Sequence, residues 1–132
     1  MNKVILITGC SSGFGMLTAA KLAAAGHTIY ATMRNLQKQN ALMLELEQRD
    51  TMCQILHLDV TEDKSINKVI DIIEKQAGRL DVLINNAGYG IGGFFEDLLE
   101  DEIRSQFETN FFGVQKVTRS ALPLMRATAS KS

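Results

Sequence analysis

Gly9, Gly13 and Gly15 stand at Gly-x-x-x-Gly-x-Gly spacing directly behind the apolar run Val4-Ile5-Leu6-Ile7. Residues of these kinds in this order can hold an anion. Four apolar residues in succession, three of them β-branched, read as a strand buried on both faces, and Met16 to Ala25 suits a helix. A strand that passes through a glycine turn into a helix gathers N–H groups without intrahelical partners at the positive end of the helix dipole, where a phosphate fits. Gly9 serves the tight turn, Gly13 lets a pyrophosphate reach the backbone, and Gly15 lets the helix pack closely on the strand. The spacing differs from Gly-x-Gly-x-x-Gly, and no Lys-Ser/Thr pair follows as a P-loop requires. A structural turn without a ligand is the alternative reading of the glycines alone.

Further polar residues fall where other apolar runs end. The second run closes on Thr32-Met33-Arg34. In a dinucleotide fold an acid at this point would accept hydrogen bonds from the adenosine 2′-OH. A guanidinium stands here instead, and it can bind a 2′-phosphate bidentately, which favours NADP(H) over NAD(H). Ser12 can add a hydroxyl to the same phosphate, whereas pairing of Arg34 with Glu45 or Glu47 is the bland alternative. Asp59 can accept from an adenine amino group, with the Val60 backbone flanking the ring, or act as a turn carboxylate before Thr61. The amides of Asn85 and Asn86 can tie adjacent loops together. Asn110 lies between Thr109 and Phe111 in an apolar helical stretch, where an amide is expected to bond a local backbone carbonyl or water. His27 and His57 read as strand-surface residues. Cys10 reads as small-residue packing, and with Cys53 it shows neither metal-ligand spacing nor a disulfide framework; no metal site is expected.

These residues need a scaffold that brings strand ends together. The pattern predicts strands at residues 4–7, 27–32, 52–58 and 80–84. Between them it predicts helices over 16–25, over 36–48 with Asn35 as N-cap, and from Thr61 as N-cap to Gly78, with Ile66, Val69, Ile70 and Ile73 on one face. Behind the loop holding Gly88, Gly90, Gly92 and Gly93, a helix is predicted from about Leu99. Its apolar face is read as Ile103, Phe107, Phe111, Val114, Thr118, Ala121 and Met125, and residues 127–132 as a small, polar tail. Strands alternating with helices specify an α/β fold, a doubly wound parallel sheet of Rossmann type with helices on both faces. Ligands bind such sheets outside the carboxyl ends of the strands. The glycine turn, Arg34, Asp59-Val60 and Asn86-Ala87-Gly88 all fall there.

The chain of 132 residues is expected to be one domain, and 45% hydrophobic with 22% charged residues is ordinary for a globular protein. A formal net charge of −1 without a basic block argues against nucleic acid as a partner, and the apolar runs are too short to span a membrane. With the first strand beginning at once, no signal peptide is expected, and the cytoplasm is the expected compartment.

Taken together, Thr8-Gly9-Cys10-Ser11-Ser12-Gly13-Phe14-Gly15, Asp59-Val60, Asn85-Asn86-Ala87-Gly88 and Asn110 resemble the short-chain dehydrogenase/reductase family, in order and spacing, to about Arg126. The turn and Ala31-Thr32-Met33-Arg34 look most like its NADP(H)-using branch, which includes 17-beta-hydroxysteroid and retinol dehydrogenases. The resemblance implies that Thr8, Gly9, Ser11, Gly13, Phe14 and Gly15 hold the pyrophosphate and that Ser12 with Arg34 holds the 2′-phosphate. It implies that Asp59 and Val60 frame the adenine, and that Asn86, Ala87 and Gly88 line the ribose and nicotinamide side. Asn110 matches the catalytic asparagine that helps order a proton-relay water. The implied partners are a nicotinamide dinucleotide and an alcohol or carbonyl substrate, with homo-oligomers formed through the helix around Asn110. The family's Tyr-x-x-x-Lys acid/base pair has no counterpart here, since Arg34 and Gly93 stand four residues beyond Tyr30 and Tyr89. The expectation is therefore the cofactor-binding half of such an enzyme, ending after the fourth strand and its helix. A non-catalytic nucleotide-binding protein is the rival. A Rossmann-like methyltransferase is disfavoured for want of an acid after the second strand.

Overall fold

β1 (Val4–Ile7) is flanked by β2 (Thr28–Met33) and β4 (Val82–Ile84), and β3 (Gln54–His57) pairs with β2, all in parallel, giving the order β3-β2-β1-β4. The computed structural model describes residues 1–131. The expected α/β architecture is present.

The reason β1 is continuously apolar lies in its two neighbours. Val4 and Leu6 face a core with Ile66, Val69 and Ile73 of α3 (Asp63–Ala77) and Val117, Ala121 and Leu124 of α5 (Gly113–Ser130). Ile5 and Ile7 face the opposite core with Ala19, Ala20 and Ala23 of α1 (Gly13–Ala24) and Leu42 and Leu46 of α2 (Asn40–Gln48). Each fully buried Leu or Ile here contributes about 1.5–3 kcal/mol. The alanines on α1 let that helix lie close to the sheet, which sets the position of its first turn.

Several boundaries differ from the sequence pattern. The helix expected over 36–48 is interrupted: Asn35 caps a short 3-10 turn at Leu36–Lys38, accepting from Gln37 N at 3.0 Å, before α2 starts. Thr61 is not the cap of α3; Glu62 takes that place, while Thr61 bonds back to Asp59. Gly78 ends α3 as expected, with φ +68.

The largest difference is the apolar face of the last helical region. α4 (Glu100–Phe107) passes into α5 through a π turn at Glu108–Phe112. A π turn inserts a residue relative to α-helical repetition, so a stripe counted across it is rotated. The buried stripe is Gly113, Val117, Ala121, Leu124 and Thr128, while Phe107 and Phe111 are exposed. The expected polar tail is helix as far as Ser130, and Thr128 is buried, accepting from Leu80 N at 2.9 Å and donating to Leu124 O at 2.8 Å. α4 itself opens as its acidic first turn predicts, with Glu102 accepting from Leu99 N at 2.9 Å.

Among the described residues no helix is long and apolar enough to cross a membrane.

Candidate functional site at the carboxyl ends of the strands

The loop after β1 is fixed from two sides. The buried Thr8 hydroxyl accepts from both Asn86 N and Ala87 N at 3.0 Å, while Asn86 Nδ2 donates to Gly9 O at 3.0 Å. Asn85 Nδ2 donates to Thr118 Oγ1 at 3.2 Å, so both amides of the pair tie neighbouring segments together. Gly9 has φ +71, and a Cβ there would lie 2.8 Å from Ala87 Cα. A Cβ on Gly15 would overlap Gly9 O and Asn86 Nδ2, so this glycine serves packing against the two loops rather than against the strand itself. Gly13 has φ +60 and open space beside it. The N–H groups of Gly13, Phe14 and Gly15 open α1, where helix geometry leaves them without intrahelical partners.

A cavity of about 280 Å³ lies over these strand ends, lined by Gly9 and Ser11 after β1, Met33 and Arg34 from β2, and Leu58, Asp59 and Val60 after β3. Ala87, Gly88 and Tyr89 after β4 and Thr109 from the π turn complete it. Of the residues singled out in the sequence, Gly9, Ser11, Arg34, Asp59, Val60, Ala87 and Gly88 are thus brought together. Thr8, Gly15, Asn86 and Asn110 support this wall from behind or beside it, as their contacts show. Ser12, Gly13 and Phe14 lie exposed at the start of α1, Phe14 with 85% of its surface accessible.

Arg34 is exposed, and among the described residues no carboxylate forms an ion pair with it; Glu45 instead pairs with Arg49. Asp59 is held by Thr61, whose N–H and hydroxyl both donate to Oδ1, at 2.9 and 2.7 Å. Burial pushes the Asp59 carboxyl upward, but the Thr61 hydrogen bonds and the positive Arg34 nearby outweigh it, leaving the group below its ordinary value. The carboxylate is therefore ionised at neutral pH. Val60 is fixed by close packing on Gly113, where a Cβ would overlap its side chain.

Of the partners expected for the Asn110 amide, a local backbone carbonyl or water, the carbonyl is found but is not local. Its Oδ1 accepts from Tyr89 N at 2.9 Å and its Nδ2 donates to Tyr89 O at 2.6 Å, spanning 21 residues. Gly88 packs against it so tightly that a Cβ would come within 2.8 Å of Oδ1. Gln106 adds a second tie, its Oε1 accepting from Ile91 N at 3.3 Å. Tyr89, Thr109 and Gln106 escaped the sequence reading: a residue in a glycine loop and two on a polar helix face carry no spacing signal.

Cys10 is fully buried, its Sγ donating to Ile7 O at 3.4 Å, and burial pushes its thiol up to about 12. It is a packing residue, as expected. His57 is exposed, whereas His27 is half-buried and its Nδ1 accepts from Lys3 N at 3.0 Å. Tyr30 is buried in β2, its hydroxyl donating to Gln76 Oε1 at 3.1 Å.

A parallel doubly wound sheet with its cavity at the strand ends defines an α/β domain of Rossmann type. The family model described as short chain dehydrogenase matches residues 3–132, and the chain belongs to that family. It is 42% identical over 124 residues to the 3-ketodihydrosphingosine reductase of Bacteroides thetaiotaomicron, covering 94% of this chain and 42% of that protein. It is 38% identical over 130 residues to retinol dehydrogenase 8 of Bos taurus, covering 94% and 40%. Among solved structures, a short-chain dehydrogenase from Streptomyces avermitilis superposes with TM-score 0.82 at 39% identity, covering 96% of this chain and 46% of that one. Actinorhodin polyketide ketoreductase, solved with NADPH, superposes with TM-score 0.84 at 29% identity, covering 92% and 46%. The chain thus spans less than half the length of these relatives.

Proposed function

We propose that residues 1–132 form a single NADP(H)-binding domain of an oxidoreductase acting on an alcohol/carbonyl pair. The observation that carries this reading is the convergence of Ser11, Arg34, Asp59, Val60 and Gly88, from four strand ends, on one cavity. The residues fit the cofactor: an exposed guanidinium without an ion-paired carboxylate, an open turn at Gly13 and amides at the start of α1 are complementary to phosphate. When bound, the nicotinamide ring supplies or accepts hydride.

In this reading Thr8 and Asn86 hold the turn rigid, and the backbone of Gly9, Ser11, Gly13, Phe14 and Gly15 surrounds the pyrophosphate. Ser12 and Arg34 bind the 2′-phosphate. Asp59, ionised and held by Thr61, accepts from the adenine amino group, and Val60 flanks the ring. Asn86, Ala87 and Gly88 border the ribose and nicotinamide side. Asn110 orders water through the amide capacity not used on Tyr89. The proton-transfer pair is not drawn from residues 1–132, so the complete reaction is proposed for a polypeptide that carries Tyr-x-x-x-Lys as well. Free thiols at Cys10 and Cys53 support a reducing, cytoplasmic setting. The exposed Phe107, Phe111 and Phe112 support homo-oligomerisation through this helical region.

The test is Arg34→Asp, with NADPH and NADH affinities measured on the same preparation. NADPH binding is expected to weaken on the order of tenfold or more, through loss of a charge-assisted contact and added repulsion, while NADH binding changes little. An unchanged ratio would remove Arg34 from the phosphate site.

A further inference from the structure

The geometry points to the opening of α5 as the part that sets Asp59 and Val60 in place, with Gly113 and Lys116 as positioning residues; the inference rests on the NADP(H) reading above. Neither residue lines the cavity itself. Gly113, Lys116 and Ser120 recur at helical spacing, so they share one face of α5. That face meets the segment between β3 and α3, and α3 itself, at successive points. Val60 Cγ2 lies 2.5 Å from where a Cβ on Gly113 would stand. Lys116 Nζ donates to Thr61 O at 3.2 Å, and Ser120 Oγ donates to Asn67 Oδ1 of α3 at 2.8 Å.

What this face holds is the pair assigned to the base. Val60 lines the cavity, and its side chain is seated in the gap that the missing Cβ leaves, so this wall stands where α5 lets it stand. Thr61 carries the second contact onward. Its carbonyl takes the lysine, while its N–H and hydroxyl both donate to Asp59 Oδ1, at 2.9 and 2.7 Å. Among the described residues no hydrogen bond is made to Asp59 Oδ2, which keeps its capacity to accept. Lys116 forms no ion pair among the described residues, so its ammonium is committed to the Thr61 carbonyl, a charge-assisted bond. The π turn decides which stripe of α5 meets this segment: Gly113 N donates to Glu108 O five residues back, and one inserted residue turns the helix that follows by about 100°. Without that rotation other side chains would face Val60 and Thr61.

The experiment measures, by calorimetry on the 132-residue chain, the affinities of NADPH and of its hypoxanthine analogue, in which a carbonyl replaces the amino group that Asp59 accepts from. The unmodified chain should favour NADPH by on the order of tenfold, one charge-assisted hydrogen bond being exchanged for repulsion. Gly113→Ala should cut that ratio about fivefold, because the new methyl displaces Val60 and with it the adjoining Asp59. In a Val60→Ala background the overlapping Cγ2 is gone and only a 3.0 Å approach to Cβ remains, so the same substitution should change the ratio by less than about twofold. Lys116→Met keeps the aliphatic stem, loses the donor to Thr61, and should cut the ratio about threefold. A helix that merely packs on the sheet would move both affinities together. An unchanged ratio in either single variant, or an equal loss for the two nucleotides, would therefore overturn that residue's assignment. If the unmodified chain binds both nucleotides equally, the adenine contact of Asp59 fails; if it binds neither, the cofactor reading fails. In both cases the positioning role falls with it.

Discussion

The glycines of the two crevice loops are constrained in different ways. At Gly9, between β1 and α1, and at Gly15, in the first turn of α1, other atoms already occupy the space a side chain would need. Between β4 and α4, Gly90 and Gly92 face open space, and order comes from Asn110 and Gln106 reaching across from the helix and π turn. Gly9 and Gly15 are set by exclusion, Gly90 and Gly92 by tethers. Both depend on residues far away in sequence, but positions set by exclusion resist substitution, whereas those held only by tethers accept it.

The comparison can be broken first at Gly15. Gly15→Ala places a methyl group on Gly9 O and Asn86 Nδ2, with backbone on one side, and is expected to destabilise by about 3 kcal/mol in urea unfolding. A loss below about 1 kcal/mol would show that the loop yields, contrary to an excluded-volume account. Next is Thr8→Val, isosteric but lacking the oxygen that two amides use. Leaving Asn86 N and Ala87 N unpaired should cost about 2 kcal/mol, read as a lowered denaturation midpoint with an unchanged m-value. On the tethered side, Gln106→Ala should cost about 1 kcal/mol or less in stability, yet raise amide hydrogen exchange at Ile91. Protection at Ile91 that survives the substitution would mean the tether is not what orders this loop. The smallest effect is expected from Gly90→Ala, within about 0.5 kcal/mol of the parent.

A separate handle lies at the other end of β1. Arg79 donates to both oxygens of Asp81, at 3.1 and 2.6 Å, and Val4 N donates to Oδ2 at 2.9 Å; the guanidinium first and the amide with it hold this carboxyl at about 2. A depressed folded-state value means the stabilisation is present above the ordinary carboxylate range. It should fade as pH falls from about 4 towards 2. Asp81→Asn should flatten the acid limb of a stability–pH curve, and an unaltered limb would show that other carboxylates govern it.

Much of this molecule was legible as pattern. The alternation of apolar runs with helical stripes gave the sheet, because β1 is buried on both faces and α3 carries Ile66, Val69, Ile70 and Ile73 at helical spacing. The strand-end residues were legible for the same reason: a parallel sheet sends all its carboxyl ends to one side. What could not be read was whatever depends on helical phase or on pairing across long separations. The π turn at Glu108–Phe112 rotates α5 relative to α4, and no local propensity announces it. Thr61 looked like a cap by residue type, but Asp59 outcompetes the helix for its hydroxyl. Tyr89 gave no signal because its placement is decided by Asn110, 21 positions on.

The bonds from the Thr8 hydroxyl to Asn86 and Ala87 span 78 and 79 residues, and Thr8 N donates to Ile84 O at 3.1 Å. They make the phosphate turn a high-contact-order feature, although all its glycines lie within a few positions of one another. During synthesis the first fifteen residues leave the ribosome early, yet the bonds that tie Thr8 and Gly9 to residues 84–87 cannot form until β4 has emerged and docked against β1. The crevice is thus among the last parts of this region to take shape, and a chain stalled before residue 87 carries every glycine of the first loop without the loop.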